Sequence, residues 1–298
     1  MFNNFFVSIV SVISKMPKYV LDLKDLPEHL YKFRVFDDPN HKRILTDNEL
    51  FFPSPRWFND PFDSTIPVRY DQGSREEIIN HWVSHLKITR PSLSPQDMEA
   101  EATRLFESGR FRTPQSIEDI ARMSRERTYG TVGVFSLTAN YENILLWSHY
   151  ADKHRGFCIG FDAKKLCLFC INYLKNLESR FLRGNQSIIF RDVRYTRNYP
   201  FINAYRTELN ERTLSQLLTK SIDWKYEQEY RIVWFHGPDM KLIINDGIMN
   251  KVILGCQMDK RGQEEMISVL RKRRDRISLY RAKKKIDGFR LDFEQVNY

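Results

Sequence analysis

The chain has 298 residues, of which 42% are hydrophobic, 29% charged and 13% aromatic. This composition excludes a disordered or low-complexity chain, and the length allows one large core or two ordinary domains. The formal net charge of +9 favours anionic partners such as nucleic acid or phosphorylated small molecules.

An apolar run from Phe5 to Ile13 stands out in the N-terminal extension, residues 1–29. The run is too short to cross a bilayer, and it lacks the basic leading region and cleavage site of a secretory signal. We interpret it as a short amphipathic helix, with weak membrane contact as the alternative. We therefore expect a cytoplasmic protein without a membrane span.

The first half of the chain alternates short strands with helical patterns. Strands are predicted at Leu30–Phe36 and Glu49–Phe52, with a brief helix or turn at His41–Asn48 between them. Three prolines then predict an irregular loop through Asp63. Ser74–Arg127 is predicted to form two or three helices, with helix starts at Ser94 and Ser116 because each precedes an acidic residue by three positions.

The second half has more strands. They are predicted at Thr131–Leu137, Gly156–Phe161, Ile188–Tyr195, Glu229–Phe235 and Val252–Leu254, with edge strands at Leu279–Tyr280 and Phe289–Phe293. Helices are predicted at Asn143–Ala151, Glu208–Ser221 and Gln263–Arg274, and a turn at the Asp-Ala-Lys-Lys sequence that begins at Asp162.

These elements predict an α+β fold with central mixed or antiparallel sheets. Because no repeat or low-complexity linker occurs, we favour one domain over residues 30–262, with a helical insertion at about 74–128. Residues 263–298 are predicted to form a basic C-terminal helix and tail. The segment Arg271–Lys285 has nine Lys or Arg residues, which favours either a solvated surface or contact with the phosphates of nucleic acid.

The four cysteines include the pair Cys167 and Cys170, spaced as in a metal or redox site. A zinc site would need a second pair of ligands, and none is visible at suitable spacing. The flanking residues are apolar, so the pattern indicates buried free thiols rather than a redox pair.

Three segments concentrate aromatic and ionisable residues. Arg56–Asp63 contains Phe58, Asn59, Asp60 and Phe62, which fit either an Asx turn or the wall of a ligand pocket. Trp147, His149, Tyr150 and His154 cluster at a predicted helix-to-strand junction. Glu227, Glu229 and Arg231 open a strong strand, where they form either a surface ion pair or a carboxylate site. Nucleotide-phosphate loops, nucleophile elbows and metalloprotease motifs are absent from the sequence.

These segments carry a resemblance to a known family. Leu30–Arg34, Phe58–Asp63, Trp147–Ala151 with Gly156–Phe161, and Glu227–Ile232 together resemble the bacterial family of domain of unknown function 2971, over about residues 30–260. The order of the segments also resembles that of ADP-ribosyltransferases. Those enzymes have a basic or His residue on a first strand, a Tyr on a helix before a second strand and a Glu on a third.

The second resemblance implies a split ADP-ribosyltransferase-like core with NAD as substrate. Arg34, Tyr150 and Glu229 would be catalytic, with Glu229 steadying the positive charge that develops on the ribose. The chain departs from the pattern because it has no His-Gly pair on the first strand, and because Phe135-Ser136-Leu137-Thr138 stands in place of a Ser-Thr-Ser element. The implied NAD-binding residues are Tyr31, Lys32, Phe58, Asn59, Asp60, Phe62, Ser136, Trp147, His149, His154 and Glu227.

Three functions remain open from the sequence. The first is an ADP-ribosyltransferase that modifies nucleic acid or protein as a toxin or phage-defence effector. The second is a non-catalytic module that binds nucleic acid or a partner protein. The third is a metal-dependent nuclease-like effector with Asp60, Asp63 and Glu229 as ligands.

Overall fold

The computed structural model describes residues 26–180, 188–235 and 237–298, so the predicted N-terminal helix lies outside the described residues. These residues divide into two compact units. The first contains Pro55–Thr131 and Arg194–Ile222, and the predicted helical insertion falls within it. The second contains residues 26–54, Val132–Val193 and Asp223–Tyr298.

Eight α-helices are described, in chain order. They are α1 (Pro39–Thr46), α2 (Arg75–Thr89), α3 (Pro95–Glu107), α4 (Pro114–Thr131), α5 (Ile144–Tyr150), α6 (Ala163–Arg180), α7 (Leu209–Leu217) and α8 (Lys260–Arg271). Short 3-10 turns occur at Pro55–Trp57 and Ile222–Glu227.

Fourteen strands are described as well. They are β1 (His29–Arg34), β2 (Glu49–Phe52), β3 (Val68–Arg69), β4 (Val132–Thr138), β5 (Phe157–Asp162), β6 (Ile188–Asp192), β7 (Arg194–Thr196), β8 (Ile202–Asn203), β9 (Thr219–Ser221), β10 (Glu229–Phe235), β11 (Met240–Ile243), β12 (Met249–Leu254), β13 (Ser278–Lys284) and β14 (Leu291–Val296).

The second unit is built on an eight-stranded sheet with the order β14-β13-β12-β5-β1-β4-β10-β6. Its ladders are antiparallel except between β12 and β13, so the sheet is mixed, which agrees with the predicted α+β class. β1 and β4 share a single register pair, Tyr31 with Thr138. By contrast, β4 and β10 are paired over seven residues.

The two faces of this sheet have different neighbours. One face holds the larger apolar core, with Phe135, Trp234 and buried side chains of α6 and α8. The other face holds a smaller cluster of Tyr31, Phe33 and Trp147. Because strand side chains alternate between faces, a residue's position on its strand fixes which of the two environments it meets.

The first unit contains helices α2, α3, α4 and α7 and the short strands β3, β7, β8 and β9. Ile78, Ile79 and Trp82 on α2 pack against Ala102 on α3. Ser74 begins α2 with a complete capping box. Its hydroxyl accepts from the backbone N–H of Glu77, and the Glu77 carboxylate accepts from the backbone N–H of Ser74. Ser94 caps α3 as predicted.

Some elements differ from the prediction for local reasons. α4 begins at Pro114 rather than near Ser116, because Thr113 Oγ1 accepts from the backbone N–H of Ser116. The turn predicted after Asp162 is instead the start of α6, an 18-residue helix. The predicted strand Ile188–Tyr195 splits at Val193 into β6 and β7, which belong to different sheets.

The C-terminal segment is also more ordered than a tail. Its basic residues continue from α8 into β13, and β14 pairs with β13 along six register pairs. Acidic residues on β14 neutralise part of the charge, since Lys283 pairs with Glu294 and Lys285 with Asp292. The cysteines are free thiols, and Cys158, Cys167 and Cys170 are buried. Burial raises the pKa of Cys167 to about 11.

Candidate functional site

The candidate site lies where β10 begins, on the sheet face that carries Trp147. Tyr150, at the end of α5, donates a hydrogen bond from its hydroxyl to Oε1 of Glu227 at 2.6 Å. Glu227 is buried and ends the 3-10 turn that leads into β10. A half-buried phenol and a buried carboxylate therefore meet across 77 positions of sequence.

Several polar contacts fix this meeting point. The Thr138 hydroxyl donates to the backbone carbonyl of Glu227, and Asn143 Nδ2 donates to the carbonyl of Tyr226 at 3.2 Å. Asn143 also caps α5 by accepting from the Leu145 N–H. One residue thus anchors both the helix that carries Tyr150 and the turn that carries Glu227.

Glu229 makes a different kind of contact. Its two carboxylate oxygens accept from Arg231 Nε at 2.7 Å and Nη2 at 2.9 Å, and both side chains are buried. The ion pair considered from the sequence therefore exists, but it is buried rather than on the surface. Such a bidentate pair neutralises Glu229 and holds it rigidly.

Residues at one register level form a polar row across the sheet. Glu229 on β10 is opposite Thr138, Thr138 is opposite Tyr31, and Tyr31 is opposite Gly160. Gly160 is in turn opposite Lys251 on β12. A Cβ atom at position 160 would lie 3.0 Å from the Tyr31 ring and 3.1 Å from Lys251 Cβ, so glycine here leaves room for both side chains.

Lys251 sits among aromatic rings at the far end of this row. Its Nζ lies 5.3 Å from the ring centroids of Tyr141 and Tyr280, and 5.9 Å from that of Tyr31. Burial raises the pKa of Tyr31 well above its usual value, so the phenol stays neutral. Lys251, Tyr141 and Tyr280 were not predicted as site residues, because their separation along the chain gives no local pattern.

Lys32 and Arg34 point to the opposite face of β1 from Tyr31 and Phe33, because strand side chains alternate. Arg34 lies 6.0 Å from the Phe135 ring, whereas Tyr150 packs with the cluster of Tyr31 and Trp147. The predicted convergence of Arg34 with Tyr150 and Glu229 on one face is therefore not found.

Lys32 nevertheless interacts electrostatically with the carboxylates of the site, because it lies beside the single register pair that joins β1 to β4. Its Nζ donates to the backbone carbonyl of Ser136 at 2.6 Å, so the predicted Ser136 contributes its backbone to this contact. Burial lowers the pKa of Lys32 well below its usual value and Arg34 lowers it further, while Glu229 and Glu227 raise it.

The other predicted residues of α5 and its following turn have separate positions. Trp147 is fully buried, with its indole Nε1 donating to the Tyr141 carbonyl at 2.7 Å. The His154 ring stacks on Trp147 at 6.3 Å, and burial lowers its pKa. His149 is exposed, with its ring edge-on to Tyr150 at 6.2 Å. Of the two histidines, only His149 is both adjacent to Tyr150 and open to solvent.

The loop Arg56–Asp63 lies in the first unit and forms the turn considered from the sequence. Asp60 Oδ1 accepts from the Phe62 N–H at 2.9 Å, which is an Asx turn. Phe62 is 66% exposed and contacts Tyr199 rather than filling a core. Asn59 is exposed and Phe58 half-buried.

The carboxylates named for a metal site already have protein partners. Asp63 accepts from the Ser64 hydroxyl at 3.0 Å and lies 3.6 Å from Lys220 Nζ, while Glu229 pairs with Arg231. Within residues 26–180, 188–235 and 237–298, His, Cys, Asp and Glu side chains form no group of three or more suited to a metal ion. The nuclease-like alternative therefore has no support in these contacts.

Fold and site together define a mixed α+β protein with a phenol–carboxylate pair and a buried ion pair at one strand end. A family model described as "Protein of unknown function (DUF2971)" matches residues 146–232. The match confirms the predicted resemblance to this family over the segment that holds Trp147, Tyr150, Glu227 and Glu229. No curated protein and no solved structure gave a significant match. Among the described helices, none has the length and apolar character needed to cross a bilayer.

Proposed function

We propose that the protein is an NAD-dependent ADP-ribosyltransferase whose reactive centre is the Tyr150–Glu227 pair. The observation that carries the proposal is the 2.6 Å hydrogen bond that places a phenol ring beside a buried carboxylate. The ring offers a stacking surface for nicotinamide and the carboxylate offers negative charge to the adjoining ribose. This is the pairing that the resemblance to ADP-ribosyltransferases implies, with Glu227 in the role first assigned to Glu229.

The reaction requires little more than a negative charge held beside the ribose. The bond between the nicotinamide nitrogen and the ribose anomeric carbon breaks, nicotinamide leaves as a neutral base, and positive charge develops on the sugar. A hydroxyl or amine of the target then bonds to that carbon and loses its proton. A fixed carboxylate that stabilises the developing cation is the main catalytic contribution in such a step.

Glu227 suits this role better than Glu229 for a geometric reason. Its oxygen Oε1 accepts directly from the Tyr150 hydroxyl, so the carboxylate lies beside the ring that would stack on nicotinamide. Both oxygens of Glu229 accept from the Arg231 guanidinium, which fixes that carboxylate at the start of the strand. We assign Glu229 and Arg231 to holding the start of β10 in place, two residues beyond the reactive carboxylate.

We further propose that Lys32 serves as the cationic residue of the first strand. It lies beside the β1–β4 junction and interacts electrostatically with both Glu227 and Glu229. Arg34 lies on the same face as Lys32, but burial lowers its pKa and the carboxylate that raises it is Asp38, whereas Glu227 and Glu229 act on Lys32.

Transfer of label from NAD tests the proposal. Purified protein is incubated with cell extract and NAD labelled in the ADP-ribose part, and nicotinamide release is measured in parallel. Glu227→Gln should lower both signals by about 10²–10³-fold, as loss of one charge-stabilising group does, with little change in Tm. Glu294→Gln, an exposed carboxylate on β14, is the matched control and should retain activity. Absence of nicotinamide release by the wild-type protein, or full activity in Glu227→Gln, would contradict the proposal.

The second candidate is a nucleic-acid-binding module, and the exposed cations after α8 favour it. Arg271, Lys272, Arg274 and Arg276 lie together on the surface. Within the described residues, the ion pairs of this segment involve Arg273. Binding that weakens steeply with salt, without turnover of NAD, would support this function. Nucleic acid bound here would equally be a target that the transferase modifies in a toxin or defence setting.

A further inference from the structure

We infer that the tip of the β13–β14 hairpin docks the protein on an anionic lipid surface. The hairpin tip is defined here as residues 283–291. This inference concerns a surface other than the Tyr150–Glu227 pair and does not depend on the proposed chemistry.

The hairpin extends beyond the sheet that supports it. The ladder of β12 with β13 ends at the pair Leu254 and Arg281. The ladder of β13 with β14 continues for three further pairs, to Lys284 with Leu291. A backbone hydrogen bond from the Lys285 N–H to the Arg290 carbonyl then closes the loop. The hairpin tip therefore projects as a two-stranded ribbon with defined geometry.

Two large apolar side chains stand at the end of this ribbon. Ile286 is 106% and Phe289 98% exposed, so almost the whole surface of both residues faces solvent. Other exposed apolar residues, such as Ile88 at 63% and Phe201 at 51%, retain partial contact with the chain. Side chains that contribute nothing to the core and cost free energy in water indicate a surface that meets an apolar medium.

Positively charged residues flank these two apolar residues on both sides of the hairpin. Lys283, Lys284, Lys285 and Arg290 flank the loop, with Asp287 between them. Lys283 and Lys285 are held by cross-strand pairs with Glu294 and Asp292, and Arg290 pairs with Asp287. Lys284 is exposed, and its charge acts on the pKa of His154. The hairpin tip is thus net positive, with its apolar end foremost.

This order of groups fits a membrane surface better than nucleic acid. Apolar residues at the far end enter the boundary of the acyl chains, while cations one or two residues behind meet anionic headgroups. Phe289 alone would be able to stack on a base, but the aliphatic Ile286 has no such role. The anchoring is weak and reversible, as expected for one short loop.

The hairpin is also coupled mechanically to the candidate site. Ala282 and Leu291, at the base of the hairpin tip, are buried in the same cluster as Trp147 of α5. Lipid contact at the tip would therefore orient the sheet face that carries Tyr150 relative to the bilayer.

Vesicle sedimentation with the full chain tests the inference. Wild-type protein is mixed with vesicles of equal parts phosphatidylcholine and phosphatidylserine, or of phosphatidylcholine alone, at physiological salt. We expect binding to the anionic vesicles and at least about tenfold weaker binding of Ile286→Ser/Phe289→Ser, because two apolar anchors are lost. Ile88→Ser/Phe201→Ser, the same residue types at other exposed positions, is the matched control and should bind as wild type does.

Two further measurements separate this interaction from others. Phe289→Trp should show a blue shift and quenching by brominated lipid acyl chains, since the tip enters the bilayer. Wild-type protein that ignores anionic vesicles, or a double variant that binds them unchanged, would overturn the inference. It would also be overturned if Ile286→Ser/Phe289→Ser weakened binding to single-stranded DNA but not to vesicles. Residues 1–25 are present in every variant, so any binding they contribute stays constant.

Discussion

Tyr150 and Glu227 are joined by a hydrogen bond of 2.6 Å between a helix end and the turn that precedes a central strand. Each residue is positioned by Asn143, which caps the helix of one and bonds the turn of the other. The pair is therefore specified by the fold rather than by two mobile side chains, and its removal should be felt in function before stability.

Tyr150→Phe should test the phenol directly. The variant keeps the ring but removes the donor to Glu227, so we expect a stability loss of about 1–2 kcal/mol and a much larger fractional loss of nicotinamide release. Urea unfolding and the NAD assay measure the two effects. Tyr173→Phe, a partly buried tyrosine that packs edge-on against Trp234, is the control and should change neither. A Tyr150→Phe variant with wild-type activity would remove the hydroxyl from the mechanism.

Arg231→Met should be strongly destabilising, by about 3–5 kcal/mol, because it leaves the buried Glu229 carboxylate without its guanidinium. Glu229→Met/Arg231→Met should recover much of that loss, since neither member of the pair is then left buried without the other. Denaturant unfolding of the two single variants and the double variant measures the coupling.

The exposed pair Lys283 and Glu294 provides the comparison for this cycle. Their side chains are 55% and 60% exposed, so Lys283→Met should cost no more than about 1 kcal/mol. If Arg231→Met and Lys283→Met lowered the free energy of unfolding equally, burial of the Glu229–Arg231 pair would not increase its contribution to stability.

Gly156→Ala should destabilise the protein by about 1–3 kcal/mol, because the added Cβ would lie 2.1 Å from the Arg34 backbone oxygen. Backbone atoms of β1 cannot move without disturbing its ladder. Gly130→Ala is the matched control, since a Cβ there meets no atom within 4 Å. As Gly130 lies in α4, alanine should raise stability by up to about 1 kcal/mol. Thermal unfolding distinguishes the two, and a neutral Gly156→Ala would contradict the close approach.

His81 should make the first unit sensitive to acid. Burial, together with the charges of Arg212 and His85, lowers its pKa to about 4. The unfolded chain therefore binds a proton that the folded chain does not, and stability should fall as the pH decreases from about 6.5 towards 4. His81→Phe keeps a ring against Tyr70 and Tyr205 and should reduce this dependence. An NMR titration of the imidazole with a midpoint near 6.5 would show the prediction to be wrong.

Strong local patterns predicted much of the second unit. The run Glu229–Phe235 gave the bounds of β10 because aromatic and β-branched residues favour strands wherever they are flanked by turns. Asn143 and Ser94 predicted helix starts because capping is a local interaction. The turn predicted at Asp162 was wrong for the opposite reason. The charged start of this segment resembles a turn, and α6 is stabilised by packing its apolar side chains in the core beside the sheet, which is not a local interaction.

The site was predictable in its residues but less so in its contacts. Tyr150 and Glu227 were both singled out, yet their partnership depends on how α5 and β10 meet, which no spacing reveals. Arg34 shows the same limit: its strand was predicted, whereas the face it points to follows from the register of β1 with β5. Lys251 had no signal at all, because its three aromatic neighbours come from distant segments.

The single rung that joins β1 to β4 has a mechanical consequence. It divides the eight-stranded sheet into a block of five strands and a block of three, held along their common edge by far fewer backbone bonds than either block has within itself. Local opening of the sheet should begin at this edge, so amide protons there should exchange fastest among the central strands. The hydrogen bond from Lys32 to the Ser136 carbonyl joins the two blocks and should limit this opening.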